Sequence, residues 1–213
     1  MLYGRRKGPK LGAHQAQLFE TLLPKLALDL RSQNWFGPDI NDIWLEVGFG
    51  AGEHLLWQAQ HHPNIGMIGA EPYESGVAKL LSKLDAEPAS NVRIHMGGAR
   101  DIIDALPDAS LGRAFILFPD PWPKTRHHKR RFIQTETLNA FARILKSGAE
   151  LRFASDDAPY MEWTLERLMA HPAFAWPARG PSDWQTRPED WPPTRYEAKA
   201  LHGKPAYLRF LRV

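Results

Sequence analysis

One aspartate stands between two prolines in Phe118-Pro119-Asp120-Pro121-Trp122-Pro123-Lys124, and Thr125-Arg126-His127-His128-Lys129-Arg130-Arg131 follows at once. Proline fixes its own φ and restricts the residue before it, so Asp120 has rigid neighbours on both sides. Trp122 offers a flat face on which a base can stack, an interaction of roughly 1–3 kcal/mol per base. From Lys124 to Arg131 there are five Lys/Arg and no acid, so an anion approaching the aspartate meets a positive field. An isolated carboxylate beside an aromatic ring and an electropositive approach suits an anionic, planar substrate, and a nucleic acid base fits that description. Pro-Asp-Pro is also turn chemistry in its own right. The ring and the cations beside it are what raise the segment above a turn.

A second constellation is Glu46-Val47-Gly48-Phe49-Gly50-Ala51-Gly52, with Glu71 lying 19 residues beyond Gly52. The glycines allow a tight turn and close backbone approach, and an acid at the end of the next strand can accept both hydroxyls of a ribose. A dinucleotide fingerprint needs its third glycine where this chain has Glu53, which disfavours a nicotinamide cofactor. Glu46 can equally be a strand-end acid paired with a neighbouring donor, and Glu71 an acid near a helix N-terminus. Asp156 and Asp157 precede Pro159, a pattern that suits a helix N-cap for one of them. Thr194-Arg195-Tyr196-Glu197 joins a hydroxyl, a guanidinium, an aromatic ring and an acid, but as a bare tetrapeptide it is unspecific. His127 and His128 suit phosphate contacts better than metal ligation, because no further ligand is spaced with them.

The elements that must position these residues follow from periodicity. Residues 13–31 carry leucines at helical spacing interrupted by Pro24. Apolar runs at Ile43–Val47, Ile65–Ala70, Val92–His95, Ala114–Phe118 and Leu151–Ala154 read as buried strands, with a late strand over Ala206–Leu211. Helical patterns stand between them, around Leu55–Ala59, Val77–Leu84, Ile102–Leu106, Leu138–Leu145 and Met161–Met169, with Lys146-Ser147-Gly148 as a helix stop. Segment 172–194, with Trp176, Trp184 and Trp191, is too irregular for a regular element and too aromatic for disorder. Strands alternating with helices predict an α/β domain with a mostly parallel sheet, whose ligands bind beyond the C-terminal strand ends. Gly48, Glu71, Gly98, Asp120 and Asp156 all fall there.

Composition sets the outer bounds. The 213 residues suffice for one sizeable domain, and 43% hydrophobic content can fill its core. There is no cysteine, which excludes disulfides, thiolate metal sites and a cysteine nucleophile. Net charge is only +3, yet residues 1–31 carry +4 and residues 122–131 carry +5, two basic segments on an otherwise acidic body. That distribution is an electrostatic footprint for phosphates. No secretory signal and no bilayer-length apolar run is visible, so a soluble cytoplasmic protein is expected.

Taken in order, Glu46 to Gly52, Gly69-Ala70-Glu71, Phe118 to Lys124 with Arg126-His127 and Lys129-Arg130-Arg131, Ser155-Asp156, and Thr194 to Glu197 resemble the bacterial tRNA (guanine-N(7)-)-methyltransferase family, from about Tyr3 to the C-terminus. The resemblance implies a Rossmann-like class I methyltransferase fold, a mostly parallel twisted sheet with helices on both faces. A basic arm and leading helix would occupy residues 1–31 and a single methyltransferase domain residues 32–213. It implies transfer of a methyl group from S-adenosylmethionine to nitrogen 7 of guanosine 46 in the tRNA variable loop. By match, Glu46, Gly48, Gly50, Glu71, Gly98, Ala99 and Asp120 surround the cofactor, with Asp120 also the catalytic carboxylate. Lys124, Asp156, Thr194, Arg195, Tyr196 and Glu197 would contact substrate, and Arg126, His127, Lys129, Arg130 and Arg131 would form an RNA-binding patch. The partner is tRNA, with no membrane, metal or obligate protein partner.

The family usually carries an aspartate where this chain has Gly98, which leaves the backbone N–H of Gly98 or Ala99 to reach the adenine. Nitrogen 7 of guanine has a free lone pair and no proton, so its methylation needs no general base and rests on alignment and electrostatics. Asp120 is then a fixed negative charge facing a base that turns cationic, with Asp156 the second choice. Two other readings stay open. An exocyclic-amine methyltransferase would show Asp/Asn-Pro-Pro followed by an aromatic, whereas Trp122 follows a single proline. A catalytically silent Rossmann-like RNA-binding protein is the other, and Gly98 is the feature that keeps it in view.

Overall fold

The computed structural model describes residues 7–32, 34–199 and 203–213, without the side chains of Tyr196 and Lys199. Arg5 and Arg6 of the basic arm lie outside the described residues. Contacts divide the chain into two compact units, one ending at Leu106 and one beginning at Pro107.

The first unit runs α1 (Ala13–Thr21), α2 (Leu23–Leu26), β1 (Asp42–Val47), α3 (Glu53–His61), β2 (Ile65–Ala70), α4 (Glu74–Ala86), β3 (Val92–His95) and α5 (Ala99–Ala105). The break that Pro24 demands falls at Leu22, which places the proline in the first turn of α2 where no intrahelical N–H is missed. The leading helix α1 packs on α4. β1 pairs with β2 and β2 with β3, both parallel. Leu45, Met67, Ile68 and Ile94 from these strands are fully buried. Parallel strands covered on both faces show no polar alternation, which is why they are visible in the sequence as continuous apolar runs.

The second unit runs β4 (Leu111–Leu117), a 3-10 turn (Thr125–Arg130), α6 (Thr135–Ile144), β5 (Leu145–Ser155), α7 (Ala158–Ala170), β6 (Phe174–Ala175), α8 (Ser182–Gln185), α9 (Arg195–Lys199) and β7 (Ala206–Arg212). β4 and β5 are parallel, while β7 is antiparallel to both β5 and β6. Phe115, Phe141, Phe153 and Phe210 are fully buried in its core.

Two expectations are sharpened here. The helix α6 does stop, at Ile144, just before Lys146-Ser147-Gly148, but that tripeptide lies inside β5, which begins at Leu145. The pairing jumps from Leu111 opposite Leu145 to Arg113 opposite Glu150, so residues 146–149 bulge out, with Gly148 at φ 79°. Segment 172–194 contains β6 and α8, a two-residue strand and a single helical turn, each too short to leave a period. Among the described residues no helix is long and apolar enough to cross a membrane.

Candidate active site

In the first unit β1 ends at Val47 and α3 starts at Glu53, and the chain between them turns through three left-handed glycines, Gly48 (φ 71°), Gly50 (φ 57°) and Gly52 (φ 73°). At Gly52 a Cβ would also lie 2.6 Å from the Leu80 side chain, so α4 closes on this loop only because the position has no side chain. Gly76 does the same from the other side: a Cβ there would meet the Gly50 carbonyl oxygen at 2.5 Å. The space at Gly48 is open, with nothing within 4 Å of a Cβ. An open cradle of backbone over a close-packed base fits the approach of a nucleoside.

The two acids of this loop are engaged. Glu71 accepts the Gly50 N–H at 2.8 Å on Oε2 and the Tyr73 N–H at 2.8 Å on Oε1, so the carboxylate sets the loop before it meets any ribose. Glu46 is 2% exposed, and its Oε2 lies 2.7 Å from Nδ1 of His54 on the first turn of α3. Gln58 sits one turn on, its amide nitrogen 3.2 Å from His54 Nε2. Both ring nitrogens of His54 are therefore engaged, Nδ1 toward Glu46 and Nε2 toward Gln58. What the structure shows of Glu46 is a brace that ties the end of β1 to the start of α3 beneath the glycines. Lys83 adds a second clip from α4, donating to the Ala51 carbonyl at 2.8 Å and lying 3.1 Å from Glu53. Gly98 is the N-cap of α5 with an extended backbone, and Ala99 is buried.

In the second unit β4 ends at Leu117, with Phe118 between it and the Pro-Asp-Pro segment. Phe118 has φ 50° and Trp122 φ 46°, so a left-handed, non-glycine residue stands on each side of Asp120. Such conformations cost of order 1–3 kcal/mol each and persist where the surroundings over-determine them. Phe118 is held by its N–H to the Ala154 carbonyl of β5 at 2.8 Å, and its ring packs against the buried cluster of Ala154, Trp191 and Tyr207. Asp120 has an exposed surface, yet the protein gathered around its carboxyl strips hydration from one side, and this desolvation raises its pKa above the ordinary aspartate value. Trp122 has the Arg130 guanidinium 4.9 Å above its ring and the His127 ring edge-on at 5.9 Å.

The basic run separates into two populations. Lys124, Arg126 and Lys129 are exposed. Desolvation, and then the cations Arg130, Arg126, Lys124 and Lys129, push the His127 pKa down, so its imidazole is neutral at physiological pH and offers a hydrogen bond rather than a charge. Arg131 departs from the expected RNA-binding patch. It is 3% exposed and its Nε donates inward to the Pro121 carbonyl at 2.8 Å.

Of the aspartate pair, Asp157 is the cap, accepting the Tyr160 N–H at 2.8 Å, and Asp156 is half-buried beside it. Thr194 and Glu197 form a reciprocal capping box at the start of α9. The Glu197 N–H donates to Thr194 Oγ1 at 3.2 Å and the Thr194 N–H to Glu197 Oε2 at 3.5 Å. Glu197 Oε1 also accepts the Tyr207 hydroxyl at 2.5 Å and lies 3.4 Å from Arg187. Arg195 is exposed, and the Tyr196 side chain lies outside the described residues. The S/T-x-x-E spacing was the available signal for this helix start. His54 and Gln58 carried none, since glutamine is mostly exposed and histidine intermediate in burial, and their spacing does not tell which face of the helix turns inward. Among the described residues no cluster of three or more His, Cys, Asp or Glu could hold a metal ion.

The chain is similar to known methyltransferases along most of its length. The family described as "Putative methyltransferase" matches residues 41–209. The tRNA (guanine-N(7)-)-methyltransferase of Rhodospirillum rubrum is 50% identical, over 99% of this chain and 87% of that protein. Those of Brucella anthropi and a Ruegeria species are 47% and 49% identical over 99% of this chain, covering 94% and 87% of theirs. Among solved structures, the 16S rRNA methyltransferase KamB superposes with a TM-score of 0.58 at 17% identity, over 82% of this chain and 90% of its own. The aminoglycoside resistance methyltransferase NpmB1 gives 0.57 at 16% identity, over 83% and 89%. The fold is therefore the Rossmann-like one of class I methyltransferases.

Proposed function

Because the chain belongs to the tRNA (guanine-N(7)-)-methyltransferase family, we propose that it transfers a methyl group from S-adenosylmethionine to nitrogen 7 of guanosine 46 in tRNA. The observation that carries the reading is the Asp120 segment: a carboxylate locked between two left-handed residues, with an aromatic ring and an exposed cationic run next to it. S-adenosylmethionine, when bound, would supply the methyl from its positively charged sulfur and leave as the neutral thioether S-adenosylhomocysteine, the carbon–sulfur bond breaking as the carbon–nitrogen bond forms. The left-handed glycines and Glu71 would hold its nucleoside, with the loop kept in shape by Glu46 and His54, and a backbone N–H of Gly98 or Ala99 would meet the adenine. In the first unit the glycine loop would hold the cofactor; the second unit carries Asp120 and the basic residues proposed to meet RNA.

No residue has to remove a proton from guanine nitrogen 7. As the carbon–nitrogen bond forms, positive charge grows on the ring, and the Asp120 carboxylate answers it without reorganising, because its backbone is already fixed. Burial works with this role: a partly desolvated carboxylate interacts more strongly with a developing cation than one in bulk water. Trp122 would stack its ring on the base, Lys124 and Asp156 contact the nucleotide, and Arg126, Lys129 and Arg130 follow the phosphates, with neutral His127 as a donor. Arg195 stands on the helix whose start Thr194 and Glu197 cap, and with Tyr196 would contact the substrate.

Incubating the purified protein with labelled S-adenosylmethionine and unmodified tRNA, then digesting to nucleosides, gives 7-methylguanosine, and replacing guanosine 46 of the transcript abolishes the label. Label in another nucleoside, or label that survives that replacement, overturns the assignment. Charge removal tests the RNA face separately. Lys124→Gln, Arg126→Gln and Lys129→Gln together weaken tRNA binding and flatten the plot of log affinity against log salt by about 0.7–0.9 per lost phosphate contact; an unchanged slope removes these residues from the interface.

A further inference from the structure

We propose that Arg131 is a positioning residue for Asp120, fixing the loop that carries the carboxylate onto α7 rather than contacting RNA. The inference rests on the reading of Asp120 given above. Arg131 Nε donates to the carbonyl of Pro121, the residue immediately after Asp120, at 2.8 Å, and Nη1 donates to the Pro159 carbonyl in the first turn of α7 at 3.4 Å. The guanidinium carbon lies 5.0 Å from the ring centroids of both Tyr160 and Trp163. One planar cation thus bridges the Asp120 loop and a helix through two carbonyls and two aromatic faces.

The surrounding bonds give the bridge a firm base. The Tyr160 hydroxyl accepts the N–H groups of Phe132 and Ile133 at 2.9 and 3.3 Å, and Trp163 Nε1 donates to the Ile133 carbonyl at 2.8 Å. Gln134 holds the carbonyls of His128 and Arg131 at 2.8 and 3.1 Å. α7 itself starts at the Asp157 cap. The anchor is therefore an element built by the fold, and the loop with φ 50° at Phe118 and φ 46° at Trp122 is the part that needs holding.

Arginine is an expensive choice for packing alone. A 3% exposed guanidinium whose Nη2 has no hydrogen-bond partner among the described residues is costlier than a methionine of similar length. What methionine cannot do is donate to Pro121 and Pro159 at once. Lysine keeps the charge but has no fork and no plane to lie between two rings. The Arg130 neighbour points elsewhere, over Trp122, so adjacent arginines have different tasks.

The test is a double-mutant cycle on the full chain with Arg131→Met, Asp120→Asn and both together, plus Arg131→Lys. Single-turnover methylation and tRNA affinity against salt are the readouts. Arg131→Met stays folded and loses up to about 100-fold in rate, the scale of a roughly 1 Å misplacement, with tRNA affinity and salt slope unchanged; Arg131→Lys recovers part of the rate. The double variant is no slower than Asp120→Asn alone, because the two act through one group. A folded Arg131→Met with full rate, a flattened salt slope, or losses that multiply in the double variant overturns the inference while leaving the Asp120 reading in place. Full rate in Asp120→Asn overturns that reading and the inference with it. Failure of both Arg131 variants to fold makes Arg131 a residue of the general fold and also overturns it.

Discussion

Asp120→Asn lowers the methyl-transfer rate by about 100- to 1000-fold, the scale set by removing one preorganised electrostatic partner from a reacting centre, and at the same time raises the melting temperature. The two effects share one cause. Desolvation lifts the Asp120 pKa above the ordinary aspartate value, so the native state binds that proton more tightly than the unfolded chain does. The stabilising contribution of the protonated form is fully present below the unfolded pKa and is lost as pH rises through the folded one. At neutral pH the ionised carboxylate is therefore a cost to folding, and the isosteric amide removes it along with the charge proposed to face the guanine. The rate of the wild-type protein falls on the acid side with an apparent pKa above that of an ordinary aspartate, and the Asn variant's residual rate lacks that limb. A variant with near-normal rate, or one that melts lower than wild type, would sink the assignment.

His54→Ala destabilises the protein by about 3–5 kcal/mol, the cost of leaving one partner of a buried pair alone, or very roughly 10 °C in melting temperature for a chain of this size. Glu46 is 2% exposed and His54 is 1% exposed, so no water replaces the lost donor. Because the pair joins β1 to α3, the glycine loop between them loosens too, and affinity for S-adenosylmethionine falls in the protein that remains folded. His54→Asn, whose side-chain amide can stand near Nδ1, recovers part of both losses. Thermal unfolding and isothermal titration separate the two quantities. A loss under about 1 kcal/mol would show that Glu46 finds another donor and that the brace is not what shapes the loop.

Glu46 shows how a correct alignment of residues leaves the contact open. Its place at the end of the first strand is legible from the apolar run and the glycines that follow. Its partner is not, because His54 comes from the next helix and nothing in the spacing distinguishes an inward histidine from an outward one. Thr194 and Glu197 are the opposite case. Their three-residue separation is a capping-box signature, and the structure uses it as one, with Tyr207 and Arg187 completing the acid's bonds.

By itself the sequence determined the order of the longer strands and helices, since burial on one face or two imposes a period on the residues; β6 and α8 are too short to carry one. It also determined the Pro-Asp-Pro-Trp segment and the cationic run after it, since rigidity, an aromatic face and charge are properties of residue types. Only the tertiary structure decided which way those residues point. Lys129, Arg130 and Arg131 are consecutive and chemically alike, yet the first is exposed, the second lies over Trp122, and the third is buried against Tyr160 and Trp163. The partners that capture Arg131 stand some thirty positions further along the chain. Likewise, the left-handed turns at Phe118 and Trp122 are conformations that neither residue prefers locally, held by Ala154 of the neighbouring strand and by Arg131. A local sequence states what each side chain can do, and long-range packing selects which of those options has the lowest free energy.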